Sequence, residues 1–135
     1  MNTVRSSKPS ARTYVRTHSA PAAIGPYSQA VLIKDTLYCS GQIAIDPETS
    51  HLVSETLEGE AEQVLQNLGA VLKAASMSYE HVVHCTVYLQ DINDYAVVND
   101  VYARYFSEEP PARETVQVAG LPRGARVEIA CVACR

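Results

Sequence analysis

The succession of apolar periodicities predicts an α+β fold: a two-layer mixed β-sheet with two helices on one face. Three observations carry that prediction. Leu57, Ala61, Val64, Leu65, Leu68, Val71, Leu72 and Ala75 recur at i, i+3, i+4 and i+7 spacing, which marks an amphipathic helix over residues 57–75. Val83, Cys85, Val87 and Leu89 alternate with His84, Thr86 and Tyr88, which marks a strand over residues 82–89. The last run, residues 125–133, places Val127, Ile129, Cys131 and Ala133 on one face, yet Ala130 and Val132 make part of the other face apolar too. A strand apolar on both faces is covered on both. Two helices cover one side of a sheet, so a second subunit is expected over the other.

The remaining elements follow from turn chemistry. Pro21, Gly25 and Pro26 make residues 19–27 a stiff, irregular connector. Residues 27–33 read as a strand, Lys34-Asp35 as a tight turn, and residues 36–40 as the antiparallel partner, with Leu37 and Cys39 opposite Tyr38 and Ser40. Gly41 permits a bulge or a close backbone approach. Residues 42–45 continue extended, and residues 46–50 turn the chain. Glu58, Glu60 and Glu62 sit in the first turns of the long helix, where they favour its dipole and read as a solvated face. Asp91-Ile92-Asn93-Asp94 can cap a second helix over residues 95–106, with Tyr95, Val98, Tyr102, Tyr105 and Phe106 as its apolar, core or interface face. Pro110 and Pro111 force an extended entry to a strand that runs to about Ala119, and residues 120–124 turn into the last strand.

At 135 residues the chain is long enough for one domain with its own core. No apolar run approaches the roughly 18 residues of a membrane span. Arg5, Lys8, Arg12 and Arg16 precede the first acidic residue, Asp35, so residues 1–16 read as a basic extension and residues 17–135 as the domain. That extension has the composition of a mitochondrial transit peptide, with Pro9 weakening any helix, or it is a mobile tail. The location expected is cytoplasmic, or mitochondrial if the extension is a transit peptide. Removing its four charges from the net −4 leaves −8, a poor match for a phosphate backbone, so nucleic acid is not the expected partner. Cys39, Cys85, Cys131 and Cys134 are expected as free thiols. Cys131 and Cys134 have CxxC spacing, but on a strand they point to opposite faces, and His81 and His84 have nothing nearby to complete a ligand set, so no metal is expected.

Chemistry is expected in a polar minority set among strands: Tyr27, Ser40-Gly41, Arg113 and Glu128. Arg113, where a proline-braced turn meets a strand, reads either as a rim charge or as a fork for a carboxylate or phosphate. Glu128, between Val127 and Ile129, reads either as half of a structural ion pair or as a general base, because burying a carboxylate unpaired is costly. His84 reads as a satisfied or exposed strand histidine.

At these residues the chain resembles a known family. Ala20-Pro-Ala-Ala-Ile-Gly-Pro-Tyr-Ser-Gln29, Ser40-Gly-Gln-Ile43, Val98-Asn99, Pro111-Ala-Arg113 and Val127-Glu-Ile129 are similar to the signature blocks of the RidA (YjgF) family, in order, from about Thr17 onward. The resemblance implies a chorismate-mutase-like (YjgF-like) fold and a homotrimer with active sites between subunits. It implies hydrolysis of 2-aminoacrylate and 2-aminocrotonate, or their imine tautomers, to 2-oxo acids and ammonia, with no cofactor. Arg113 would grip the substrate carboxylate and Glu128 would activate water. Tyr27, Ser40, Gly41 and Asn99 would shape the pocket. Thr115 stands where bacterial members often carry cysteine. Two alternatives accompany that reading: an endoribonuclease acting as a translation inhibitor, and a non-catalytic regulatory protein that binds 2-oxo acids.

Overall fold

A computed structural model describes residues 2–5 and 11–135. Its strands are β1 (Asn2–Arg5), β2 (Arg12–Arg16), β3 (Ala30–Ile33), β4 (Thr36–Gln42), β5 (Val82–Leu89), β6 (Ala112–Gln117) and β7 (Val127–Cys134), with helices α1 (Leu57–Ala74) and α2 (Tyr95–Tyr105). They form one sheet in the order β1-β2-β3-β4-β7-β5-β6. Every pair is antiparallel except β5–β6. A parallel pair needs a crossover, and α2 supplies it. The last strand wedges between β4 and β5, so both faces of β7 lie mid-sheet.

One layer of the core joins the helices to the sheet. Leu37, Val87, Leu89, Val127 and Ile129 face Val64, Leu65, Leu68 and Leu72, all essentially inaccessible to solvent. Cys39, Cys131 and Cys85 stand directly opposite one another across β4, β7 and β5, and Arg113 of β6 continues the same row. All four cysteines are free, and only Cys134 is exposed. On the other face, Glu128, Ala130 and Val132 are half-buried and Tyr38 is exposed.

Several expectations change. The segment taken as a basic extension contains two strands: β2 pairs with β3, and Val15 is buried in the core. Alternation of Thr13 and Val15 with basic residues on the outer positions is strand patterning, which the charge count obscured. Lys8 and Pro9 lie outside the described residues. Tyr27 is not in a strand: β3 starts at Ala30, because the backbone turns tightly at Gly25–Tyr27, with Tyr27 N donating to Gly25 O at 2.8 Å. Val83 leaves the core face, since a bulge between Val82 and His84 rotates it outward. Tyr95 is likewise 41% exposed rather than part of the packed stripe of α2, whose buried residues are Val98, Val101 and Tyr102.

The acidic start of α1 is not a uniformly solvated face. Glu58 and Glu62 pair with Arg104 of α2, and Glu62 also accepts from the Tyr105 hydroxyl. Glu60, however, is wholly buried. Its two oxygens accept from the Arg126 backbone N–H at 2.7 Å and from Arg126 Nε at 2.8 Å, while Arg126 Nη2 donates to Ser54 O at 3.0 Å. The sequence does contain a structural acid–arginine pair, but it belongs to Glu60 and not to Glu128. Breaking a buried pair strands one charge. Glu60→Ala is therefore expected to cost about 3 kcal/mol of folding stability, to be checked by the shift in chemical-denaturation midpoint.

Candidate active site

Glu128 lies at one side of a cleft of about 230 Å³ that Tyr27, Gly41, Gln42, Ile43, Ile45 and Arg123 also line. Three loops shape it, and each is held by a specific anchor. The connector before β3 is fixed by the buried amide of Gln29, whose Nε2 donates to Thr17 O and Pro21 O and whose Oε1 accepts from Thr17 N. The segment after β4 is fixed by the buried amide of Asn67 on α1, which donates to Ile43 O at 3.0 Å and Ile45 O at 2.9 Å. The turn before β7 carries Arg123 in the left-handed region, and its Nη2 donates to Ser50 O across the cleft mouth.

Gly41 explains how the carboxylate fits. One extra residue in β4 between Cys39 and Gln42 makes a bulge against β7, and this brings the Gly41 backbone against the Glu128 side chain. A Cβ there would collide with Oε2 and lie 2.9 Å from Cδ. No described residue offers the Glu128 carboxylate a hydrogen bond or a counter-charge within bonding distance. Burial accordingly pushes its pKa above the ordinary carboxylate value. A half-buried, unpaired carboxylate that holds a proton more readily than usual is suited to accept one from water and to return it.

Arg113 occupies a different place. It pairs in register with Cys85, which is on the helix side of the sheet, whereas Glu128 is three residues from Cys131 and so faces the opposite side. The two do not share a cleft within one protomer. Arg113 Nη1 donates to Asn99 Oδ1 at 3.0 Å and Nη2 to the Tyr95 hydroxyl at 2.7 Å. Its guanidinium lies 4.7 Å from the Tyr102 ring centroid and 5.5 Å from that of Tyr95. Thr115, two residues on and on the same face, has a buried hydroxyl without a hydrogen-bond partner. Because β6 is the outermost strand, this group sits at the sheet's free edge.

The predicted residues thus divide into two groups. Tyr27, Gly41 and Glu128 come together; Asn99, Arg113 and Thr115 come together elsewhere. Ser40 joins neither, since its hydroxyl donates to Ser28 O at 2.6 Å and braces the loop that carries Tyr27. His84 is engaged by Glu114 at 2.6 Å. Among the described residues no cluster of histidine, cysteine or acidic side chains could hold a metal, and no helix is long and apolar enough to cross a membrane. Reading the residues alone missed Gln29, Asn67, Arg123, Tyr95 and Tyr102. For Tyr95, Asn99 and Tyr102 a signal existed, as their 4 and 3 spacing aligns them on one stripe of α2.

Comparison with known proteins gives these two groups a family context. The family model described as endoribonuclease L-PSP matches residues 17–135. The chain is 52% identical over 122 residues to the 2-iminobutanoate/2-iminopropanoate deaminases of Bos taurus and Homo sapiens, covering 90% of this chain and 89% of each relative. It superposes on the crystal structure of RidA from the Antarctic bacterium Psychrobacter sp. with a TM-score of 0.87 and 46% identity, covering 90% of this chain and 98% of that one. With one mixed sheet, two helices and a cleft edged by Glu128, the chain is a small α+β domain of that class. The chain belongs to the RidA (YjgF) family, the one its endoribonuclease L-PSP model describes.

The raised pKa of Glu128 has a stability consequence with a definite sign. A carboxyl whose folded pKa exceeds its unfolded value penalises the folded state wherever it is ionised, and the penalty fades as pH falls from the folded towards the unfolded pKa. Glu128→Gln is therefore expected to be more stable than wild type at pH 7 and to lose that advantage in acid. Paired denaturation curves across pH 3–8 would check it.

Proposed function

We propose that this chain hydrolyses 2-aminoacrylate and 2-aminocrotonate, through their imine tautomers, to 2-oxo acids and ammonia, at sites assembled between protomers of a homotrimer. The observation that carries the reading is Glu128, unpaired and biased towards the protonated form beside Gly41. The names of the relatives, deaminases of 2-iminobutanoate and 2-iminopropanoate, supply the substrate class.

The roles follow from the two half-sites. Arg113 has five N–H donors and spends two on Asn99 and Tyr95. The remaining donors are enough to take a carboxylate bidentately, with charge-assisted bonds that outweigh neutral ones. Glu128 takes a proton from water as its oxygen adds to the C=N carbon. Starting from the protonated imine, that proton passes on to the nitrogen of the tetrahedral carbinolamine, ammonia leaves as the C–N bond breaks, and the hydroxyl proton returns to the Glu128 carboxylate as the C=O of the 2-oxo acid forms. The raised pKa helps both halves, because the base that accepts must afterwards donate. Tyr27 bounds the cleft beside Glu128, and the unpartnered Thr115 hydroxyl is a further polar group on the arginine's side.

Assembly would bring the halves together. The Arg113 group is at an exposed strand edge, and the open face of the sheet carries half-buried Ala130 and Val132 beside exposed Tyr38. A contact of one protomer's edge with another's open face is heterologous, and such contacts generate a closed ring where the rotation between protomers closes. Three such contacts make the trimer.

The decisive experiment generates 2-aminoacrylate from serine with a lyase and follows its decay. Wild type should accelerate decay. Arg113→Ala should raise KM by at least about tenfold, and Glu128→Gln should lower kcat by about 10²–10⁴-fold. Failure of wild type to accelerate decay overturns the proposal, as does RNA cleavage that survives both substitutions in place of imine hydrolysis. A mixing experiment tests the shared site: coassembly of equal amounts of the two variants should restore about a quarter of wild-type sites, because each half comes intact from a different protomer. Gly41→Ala, which displaces the Glu128 carboxylate, should reduce kcat about tenfold or more with folding retained, as read from the same assay and a thermal melt.

A further inference from the structure

We infer that Tyr95 is a positioning residue, setting the edge of the Arg113 guanidinium that meets the substrate carboxylate; this rests on the deaminase reading above. Four features of the geometry support it.

The first is the departure of Tyr95 from the helix's packed stripe. A tyrosine at the start of an amphipathic helix ordinarily buries its ring, yet this one is 41% exposed and touches the arginine. The second is the bond itself. The Tyr95 oxygen accepts from Nη2 at 2.7 Å, while Asn99 Oδ1 accepts from Nη1 at 3.0 Å. One acceptor leaves a guanidinium free to swing about its long stem; two acceptors on different nitrogens fix its plane. The third is the stacking of Tyr102, whose ring centroid is 4.7 Å from the guanidinium carbon and defines the face on which it rests. The fourth is the common origin of these contacts. Tyr95, Asn99 and Tyr102 all project from α2, so one rigid element presets the fork.

The consequence is preorganisation. A bidentate carboxylate contact requires two N–H groups to be parallel and correctly aimed before the ligand arrives. Without the Tyr95 acceptor, Nη2 keeps its charge but loses its aim, so binding of the carboxylate weakens while the proton-transfer step at Glu128 is untouched. Lysine at position 113 has no fork to aim and derives no benefit from Tyr95.

The test is Tyr95→Phe, which keeps the ring and removes the oxygen, in wild-type and Arg113→Lys backgrounds. Two quantities are read: KM and kcat for lyase-generated 2-aminoacrylate, and Kd for 2-oxobutanoate by calorimetry. In the wild-type background KM and Kd are expected to rise about tenfold or more, the lower end of the scale for one hydrogen bond to a charged group, with kcat held within about twofold. In the Arg113→Lys background the same substitution should change Kd by less than about twofold, the non-additivity expected of groups acting through one another. Unchanged KM and Kd overturn the inference, as does a fall in kcat at constant KM, or an equal loss in both backgrounds. Wild type that hydrolyses the imine while Tyr95→Phe matches it sinks this inference alone. Wild type that neither hydrolyses 2-aminoacrylate nor binds 2-oxobutanoate sinks the functional reading with it.

Discussion

The buried carboxylate of Glu60 is the constraint on which the site's geometry depends. It sits in the first turn of α1, where the helix dipole favours an anion, and receives both the backbone and the side chain of Arg126. That arrangement joins the helix layer to the entry of β7, one residue before Val127 and two before Glu128. Gln90 N also donates to Arg126 O, tying in the end of β5. The register of the central strand is thereby fixed at the position where a slip of one residue would exchange Glu128 with a core residue. An apolar pair could fill the same volume, but it would not specify register with the same directionality.

A second constraint operates at the same end of β7, on the side that faces β4. The β4 bulge and the missing side chain of Gly41 together leave room for a carboxylate against the backbone. Burial there is enough to make ionisation costly and not enough to make it impossible. Glu60 is wholly buried and Glu128 half-buried, each near the end of a packed element, and their surroundings make them opposites: one is held by arginine and structural, the other is left without a partner and chemically available.

Much of this architecture is readable in the chain. The 3.6-residue period of α1, the two-residue period of β5 and β7, and the glycine, proline and aspartate turns determine element type because each depends on local geometry alone. The strands near the N-terminus were hidden because short apolar alternation flanked by arginines, as in Arg12–Arg16, looks the same as a solvated tail until a partner strand is placed beside it. Glu60 was hidden for a different reason: lying four residues before Val64 it shares the inward face, turned away from Glu58 and Glu62, but its partner Arg126 is supplied only by tertiary packing. The resemblance to the RidA family drew attention to Arg113 and Glu128 as a pair, yet nothing local reveals that β6 and β7 present them on opposite faces. That fact follows from strand order, which is non-sequential. Tyr95 shows the limit in miniature: its spacing is that of a core residue, and its hydroxyl finds the arginine only because β5, α2 and β6 form a crossover.

The row of Cys39, Cys131 and Cys85 spans the middle of the sheet. Burial pushes the Cys85 thiol up to about 11, and a hydrogen bond with Cys39, together with burial, raises that of Cys131. A thiol reacts as its thiolate, so Cys85 and Cys131 are inert to alkylating reagents on two counts, access and ionisation, and Cys39 is shielded by burial. Cys134, by contrast, is exposed at the end of β7. The folded protomer consequently offers a single fast-labelling thiol, and the other three become available only as the central strands separate. Their labelling times therefore form a natural clock for opening of β4, β7 and β5, recorded from inside the sheet that carries the Glu128 carboxylate.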